Sequence, residues 1–380
     1  MSNNGHTKIK ILFVIHDLSV GGAEKVLINL VNNMDYSKFD ITVLALFDEG
    51  VNKQFLNPKI EYRYAFRHAI RGNSHYMKLL SPRQLYHWLV PEEYDIVISY
   101  LEGPSARIVA GCPKNKTKIV SWVHCTYHNK KELAKSFRGI KEACQCYEKS
   151  DRMIFVSEEV KQAFLNCCPI KCETNVLYNT NESEKIIVKA AEKIEENLFK
   201  ENTFFWCGVG KIVPNKGFYR MIRIQKRLIE EGYDVQLLIL GTGWQQEELE
   251  NLCQENGILN TVTFLGYQTN PYKYVSNCDL FVCASYAEGF STAATEALIV
   301  GTPVCTVKVS GMKEMLGANN EFGVIVENNE DALYLGIKKL IDNPELLNHY
   351  KKMSLQRGKD FSTEETVNAV QNMLIRLMEK

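Results

Sequence analysis

Leu280-Phe-Val-Cys-Ala-Ser-Tyr-Ala-Glu288-Gly-Phe-Ser-Thr-Ala-Ala-Thr-Glu296-Ala-Leu-Ile-Val-Gly301-Thr-Pro303-Val304 reads as strand, loop, helix and strand in one pass. The apolar run Leu280–Ala284 has the length and composition of a buried strand. Gly301-Thr-Pro303 stops a helix and opens the next strand. Glu288 therefore lies in a strand-to-helix loop, and Glu296 just over one turn inside the helix. The first-turn amides of Phe290, Ser291, Thr292 and Ala293 lack intrahelical acceptors and carry the positive end of the helix dipole, a setting suited to phosphate. Two carboxylates flanking such a helix start can grip a polar headgroup on one side of a diphosphate and a ribose diol on the other.

Outward from this stretch the alternation continues. In the second half, apolar runs at 204–209, 235–240, 262–265, 304–307 and 322–326 are separated by helical stretches. The first half repeats the pattern with runs at 10–15, 41–47, 95–100, 118–123 and 153–156, and with Gly21-Gly22-Ala-Glu24 opening a helix to about Asn33. Short apolar strands alternating with helices predict parallel sheets with crossover helices. A chain of 380 residues is too long for one ordinary core, so the fold class is α/β with two doubly wound parallel-sheet domains. The boundaries expected are 1–180, a linker helix over 181–200, a second domain over 201–362 and a C-terminal helix over 363–380 that packs back on the first domain. In such sheets ligands bind beyond the carboxyl ends of the strands. Gly21-Gly22, His124, Ser157, Gly210-Lys211, Gly241-Thr-Gly243, Gly266 and Glu288-Gly289 all follow strands, and are expected to converge on a cleft between the domains.

The motif at 288–304 resembles the acidic motif of the retaining GT-B glycosyltransferases, in the large group 1, family 4 set that contains sucrose synthase and many bacterial polysaccharide enzymes. Ser310-Gly-Met-Lys-Glu314 is similar to the form found in capsule and exopolysaccharide transferases. The resemblance implies that Glu288 contacts donor-sugar hydroxyls and Glu296 the ribose. It implies that Lys211 and Lys216, in Gly208-Val-Gly210-Lys211 and Asn215-Lys216-Gly217, meet the diphosphate. Lys211 stands where the family usually has Arg, keeping charge but losing the bidentate fork. Gly21 and Gly22 resemble the glycine loop near donor phosphates and acceptor, and His124 the histidine between donor hexose and acceptor. Gly241 and Gly243 would shape the nucleotide pocket, with Gly266 and Tyr267 lining the base. Ser291 replaces a common second glycine, so its side chain is expected to enter the donor pocket.

The activity implied is retaining transfer of a hexose or N-acetylhexosamine from a nucleotide-diphosphate sugar, UDP favoured, to a glycan or polyprenyl-diphosphate-linked saccharide. No metal or other cofactor is expected, because cations and helix amides would neutralise the leaving diphosphate. A sugar-nucleotide epimerase and a non-catalytic sugar-nucleotide-binding subunit are the alternatives.

Composition frames these readings. Lys+Arg and Asp+Glu are both 45, but residues 1–180 carry 24 basic against 18 acidic and residues 181–380 carry 21 against 27. The opposed halves point the first toward something anionic. Residues 62–90 hold Arg63, Arg67, Arg71, Lys78, Arg83, His68, His75 and His87 with many aromatics and no acid, and are expected to lie against an anionic membrane surface. No apolar run reaches 18 residues and the first residues lack a signal peptide's apolar segment, so a cytoplasmic protein, peripheral at the inner face of the membrane, is expected, without nucleic acid as partner. The twelve cysteines lack convincing zinc spacing and read as reduced thiols.

Overall fold

The computed structural model describes residues 8–19, 21–69, 72, 76–114, 116–194 and 198–379. The chain divides into two compact units, Met1–Asn181 with Glu364–Lys380, and Glu182–Thr363. Among the described residues the first unit carries seven parallel strands: β1 (Ile9–Ile15), β2 (Phe39–Phe47), β3 (Glu61–Phe66), β4 (Ile96–Ser99), β5 (Lys118–Val123), β6 (Arg152–Phe155) and β7 (Glu173–Val176). Their spatial order is β3-β2-β1-β4-β5-β6-β7. The second unit carries six: β8 (Phe204–Val209), β9 (Val235–Leu240), β10 (Val262–Gly266), β11 (Leu280–Cys283), β12 (Val304–Val307) and β13 (Val324–Val326), in the order β10-β9-β8-β11-β12-β13. Each unit is thus doubly wound, with a switch point where the order reverses, between β1 and β4 and between β8 and β11.

The central strands are apolar along their whole length because helices cover both faces. Ile11–Ile15 and Ile96–Ile98 are essentially inaccessible, as are Trp206, Cys207, Leu237–Ile239 and Leu280. Two strands lie outside the runs anticipated from sequence, β3 and β7. Both are sheet edges, and their residues Glu-Tyr-Arg-Tyr-Ala-Phe and Glu-Thr-Asn-Val are nowhere buried. An edge strand is covered less, so its sequence carries less apolar signal.

The helix expected across 181–200 spans only Ser183–Ala190 and belongs to the second unit. Its terminal carbonyls are met by Asn270 (Nδ2 to Lys189 O, 2.9 Å) and Ser276 (Oγ to Ala190 O, 3.2 Å). At its start Ser183 N donates to Thr363 Oγ1 (2.9 Å) and Thr363 N to Ser183 Oγ (3.0 Å), joining the two places where the chain enters and leaves this unit. The C-terminal helix Thr363–Glu379 is part of the first unit from Glu364 on, where Gln371 Oε1 accepts the amide of Asp35 at 2.7 Å. Among the described residues no helix is long and apolar enough to cross a membrane. Cys144 and Cys168, 24 residues apart in sequence, are brought side by side with Cα atoms 5.6 Å apart. They sit at the ends of the helices Ile140–Tyr147 and Glu158–Cys167, which pack through Tyr147 and Phe164, rings edge to face at 4.9 Å.

The basic segment is organised by two arginines outside it. Arg107, 1% exposed, donates to Met77 O and Leu80 O (both 2.7 Å) and pairs bidentately with Glu142 (2.9 and 3.2 Å). Arg138 donates to Lys78 O (2.7 Å) and Leu79 O (3.0 Å). The carbonyls of an irregular turn are thereby satisfied without regular structure. Arg107→Met should remove these donors and leave the half-buried Glu142 carboxylate with Arg138 alone (N to Oε2, 2.6 Å), costing about 3 kcal/mol. Urea unfolding of variant and parent measures this, and an unchanged midpoint would contradict the role assigned to Arg107.

Candidate functional site

The site of the second unit is built where β8 and β11 end side by side at the switch point. Beyond β8 the chain runs through Gly210 and the exposed Lys211 into a single 3-10 turn, Pro214–Lys216, and Gly217 then caps the helix Phe218–Glu230. Beyond β11 it runs through Ala284–Glu288 to Ser291, the N-cap of the helix Thr292–Ile299. The two loops are tied through backbone groups: Tyr286 N donates to Asn215 O (2.8 Å) and Asn215 Nδ2 to Ala287 O (3.1 Å). Gly217 sits at φ +71°, and a Cβ there would come within 2.0 Å of the Ala284 carbonyl oxygen. Only glycine lets the loops approach this closely.

That approach places Lys216 Nζ 2.6 Å from Glu288 Oε1, and Ser285 Oγ donates to the same oxygen at 2.5 Å. Both partners are largely shielded from water, with Glu288 at 11% and Lys216 at 31% side-chain exposure, so the attraction is screened less than at the surface. Sequence reading assigned Lys216 to a diphosphate and Glu288 to a sugar. The structure joins them in one charge-assisted pair, and leaves Lys211 exposed without an ion pair among the described residues.

Ser291 corrects an expectation. Its hydroxyl accepts the Ala294 amide at 3.3 Å as an N-cap and is buried, so it turns back on its own helix rather than outward into a ligand space. Thr292 and Ala293 begin the helix, their amides lacking intrahelical acceptors. Phe290 is buried against Phe361, ring centroids 5.8 Å apart. Glu296, one turn in, is 8% exposed and accepts from Tyr272 OH at 3.4 Å. Along the neighbouring strand ends, Gly241 sits at φ +137°, and a Cβ there would fall 1.9 Å from Gly210 O. Gly241 N donates to Gly266 O (2.8 Å), and Tyr267 beyond it is exposed. Ser285 and Tyr272 were not singled out in the sequence, and Asn215 stood there only as a neighbour of Lys216; position just beyond a strand could have flagged Ser285. Among the described residues no three His, Cys, Asp or Glu side chains gather as a metal would require.

Gly21 is the N-cap and Gly22 the first residue of the helix Gly22–Asn33, beyond β1. His124 directly follows β5, packed with Trp122 (5.9 Å, stacked) and Tyr100 (4.8 Å). Beneath it, Glu102 accepts the amides of His124 and Cys125, the latter at 2.6 Å. Burial raises the Glu102 carboxyl above its ordinary range despite those amides. Burial also depresses His124 to about 3, against a smaller opposing hydrogen bond to the Tyr100 carbonyl. Its Nε2 is buried without a partner among the described residues, leaving a neutral imidazole with one bare nitrogen.

Two family descriptions match the chain, "Glycosyltransferase Family 4" over residues 20–180 and "Glycosyl transferases group 1" over 189–357. A relative from Campylobacter jejuni, N-acetylgalactosamine-N,N'-diacetylbacillosaminyl-diphospho-undecaprenol 4-alpha-N-acetylgalactosaminyltransferase, is 30% identical over 363 residues, spanning 93% of this chain and 95% of its own. The chain belongs to the GT-B glycosyltransferases. The glycosyltransferase is also similar to the capsular polysaccharide biosynthesis glycosyltransferase CapM of Staphylococcus aureus, 32% identical over 162 residues, 40% of this chain and 41% of that one. Its fold matches Anabaena HepE, solved in complex with UDP, with a TM-score of 0.78 over 97% of this chain and 100% of the other at 18% identity.

The depressed His124 predicts an acid-sensitive contribution to stability in a defined window. The unfolded imidazole takes a proton near pH 6.5 and the folded one only near 3, so the unfolded state binds more protons between these values. Stability must then fall as pH drops from about 6.5 toward 3, by up to roughly 1.4 kcal/mol per pH unit from this group. Glu102, raised by burial, acts with the opposite sign. His124→Gln should flatten the acid limb, read as the stability difference between parent and variant at pH 7 and pH 4. A parallel pH dependence in both proteins would show that His124 is not held neutral.

Proposed function

We propose that this glycosyltransferase moves a hexose or N-acetylhexosamine from a UDP-sugar, with retention, to a saccharide carried on a polyprenyl diphosphate, in cell-surface polysaccharide synthesis. The observation that carries the reading is the Lys216–Glu288 pair at the β8/β11 switch point, beside the open end of the helix Thr292–Ile299. The relative from Campylobacter jejuni supports a lipid-linked acceptor and an α linkage through its name, and CapM supports a polysaccharide role. UDP is the nucleotide in the Anabaena complex.

In this reading Lys216 is released from Glu288 toward the diphosphate as negative charge develops on the leaving group, with Lys211 and the amides of Thr292 and Ala293 completing its neutralisation. Glu288, held by Ser285, then accepts from donor-sugar hydroxyls, and Glu296 from the ribose. His124 offers its bare Nε2 to a sugar hydroxyl, with Gly21 and Gly22 permitting close approach of phosphate or acceptor. The acceptor hydroxyl attacks the anomeric carbon on the face the diphosphate leaves, and the departing phosphate oxygen takes its proton. No step uses a metal, so turnover should survive EDTA.

Thermal stabilisation by a panel of nucleotide sugars identifies the donor, because a ligand of the native state raises apparent stability. Lys216→Ala should lower kcat/KM by about 2–4 kcal/mol in transition-state terms, while Lys211→Arg is tolerated. Glu296→Ala should weaken binding of the free nucleoside diphosphate, whereas Glu288→Gln should leave it nearly intact and depress transfer. Calorimetry with the diphosphate alone separates the two, and equal losses in both variants would contradict the assignment.

Contact with an anionic membrane belongs to the same proposal. Tyr76, Leu79 and Trp88 are 64%, 78% and 61% exposed, in a stretch that also holds Lys78, Arg83 and His87 and whose turn is fixed by Arg107 and Arg138. Arg63 contributes less than its sequence context promised, since Glu61 (2.6 Å) and Glu92 (2.7 Å) neutralise it. Arg71 and His75 lie outside the described residues. Each basic residue near such a surface is worth about 1 kcal/mol, so Arg67, Lys78 and Arg83 changed together to Gln should weaken binding to acidic-lipid vesicles about a hundredfold. Sedimentation with vesicles at two salt concentrations measures this, and binding equal to the parent's would end the membrane reading.

A further inference from the structure

Arg220 breaks three local rules at once. It is 2% exposed, yet among the described residues it makes no ion pair. It stands in the first turn of the helix Phe218–Glu230, where a positive charge opposes the helix dipole. Its Nε and Nη2 are buried without hydrogen-bond partners among the described residues, and burying an uncompensated charge is costly. Such conflicts between local preference and fold concentrate at functional sites.

What surrounds Arg220 is the frame of the donor site. Its guanidinium lies over the Tyr286 ring, 3.8 Å from the centroid. Nη1 donates to Asn328 Oδ1 at 3.0 Å, and Asn328 Nδ2 donates to Tyr286 O at 3.3 Å. Tyr286 is the residue whose amide joins the Glu288 loop to Asn215 of the Lys216 loop. On the other side Arg220 Nε is 3.1 Å from where a Gly217 Cβ would stand. The guanidinium is thus packed between the turn that carries Lys216 and the loop that carries Glu288, held by a neutral carboxamide and a neutral ring.

We infer that Arg220 is a positioning residue and a fixed positive charge of the donor site. It clamps the two loops so that Lys216 and Glu288 stay in register, and its uncompensated charge is balanced when a nucleoside diphosphate binds above it. This rests on the proposed function, which makes that site the one for the donor's diphosphate.

The test measures, by calorimetry, binding of UDP, GDP and ADP and of the matching monophosphates to the full-length protein, and follows the tightest-binding pair. Arg220→Met removes the charge at similar length and should weaken the diphosphate by about tenfold or more, and the monophosphate less. Arg220→Lys keeps the charge without the fork and should stay closer to the parent. Should Arg220→Met fail to fold, Asn328→Asp puts a carboxylate on Nη1 and should produce the same selective loss by neutralising the guanidinium in place. Parent-like diphosphate binding in the neutralised variant overturns the inference. So does an equal loss of di- and monophosphate in the Met and Lys variants, which marks a packing role alone. A parent protein that binds none of the nucleoside diphosphates instead overturns the donor reading on which the inference stands.

Discussion

A cation and a carboxylate are held 2.6 Å apart at the end of two neighbouring parallel strands, and the surrounding architecture serves to keep them there. Lys216 and Glu288 are 72 residues apart in the chain. They meet because β8 and β11 are adjacent at the point where strand order reverses, and because Gly217 lets one loop lie on the Ala284 carbonyl of the other. Besides this pair, the loops are tied through the Asn215 and Ala287 carbonyls, so backbone groups help to set the geometry. A pair kept in this way is a store of charge. Glu288 balances the ammonium at rest, and a more negative group can compete for it.

The same architectural rule acts in the first unit with a different outcome. His124 and Glu102 lie beyond the ends of β5 and β4, and desolvation drives each toward its neutral form. The second unit offers charge, while the first offers a neutral imidazole with an unsatisfied nitrogen.

Much of the fold could be read from sequence for a physical reason. Strands buried on both faces must be apolar, and eleven of the thirteen strands among the described residues, including the apolar edges β10 and β13, announced themselves. The two that did not, β3 and β7, are edges with polar, partly exposed residues. The linker helix was read too long because charge and helix propensity persist past Ala190, whereas the structure ends the helix where Asn270 and Ser276 meet its carbonyls. No local pattern announces two side chains arriving from 80 or more residues away.

For the site, the sequence alone determined where these residue types fall: Glu288 before a helix, Glu296 one turn inside it, Lys211 and Lys216 across a proline turn, His124 just after a strand. Those are consequences of periodicity and turn chemistry, which are local. Tertiary structure decided the pairings. It turned Ser291 into a helix cap, joined Lys216 to Glu288 while leaving Lys211 exposed, and neutralised Arg63 with Glu61 and Glu92. It also buried Arg220 without an acid among the described residues. Burial and charge pairing depend on which distant loops pack together, and that is fixed only when the sheets close in three dimensions.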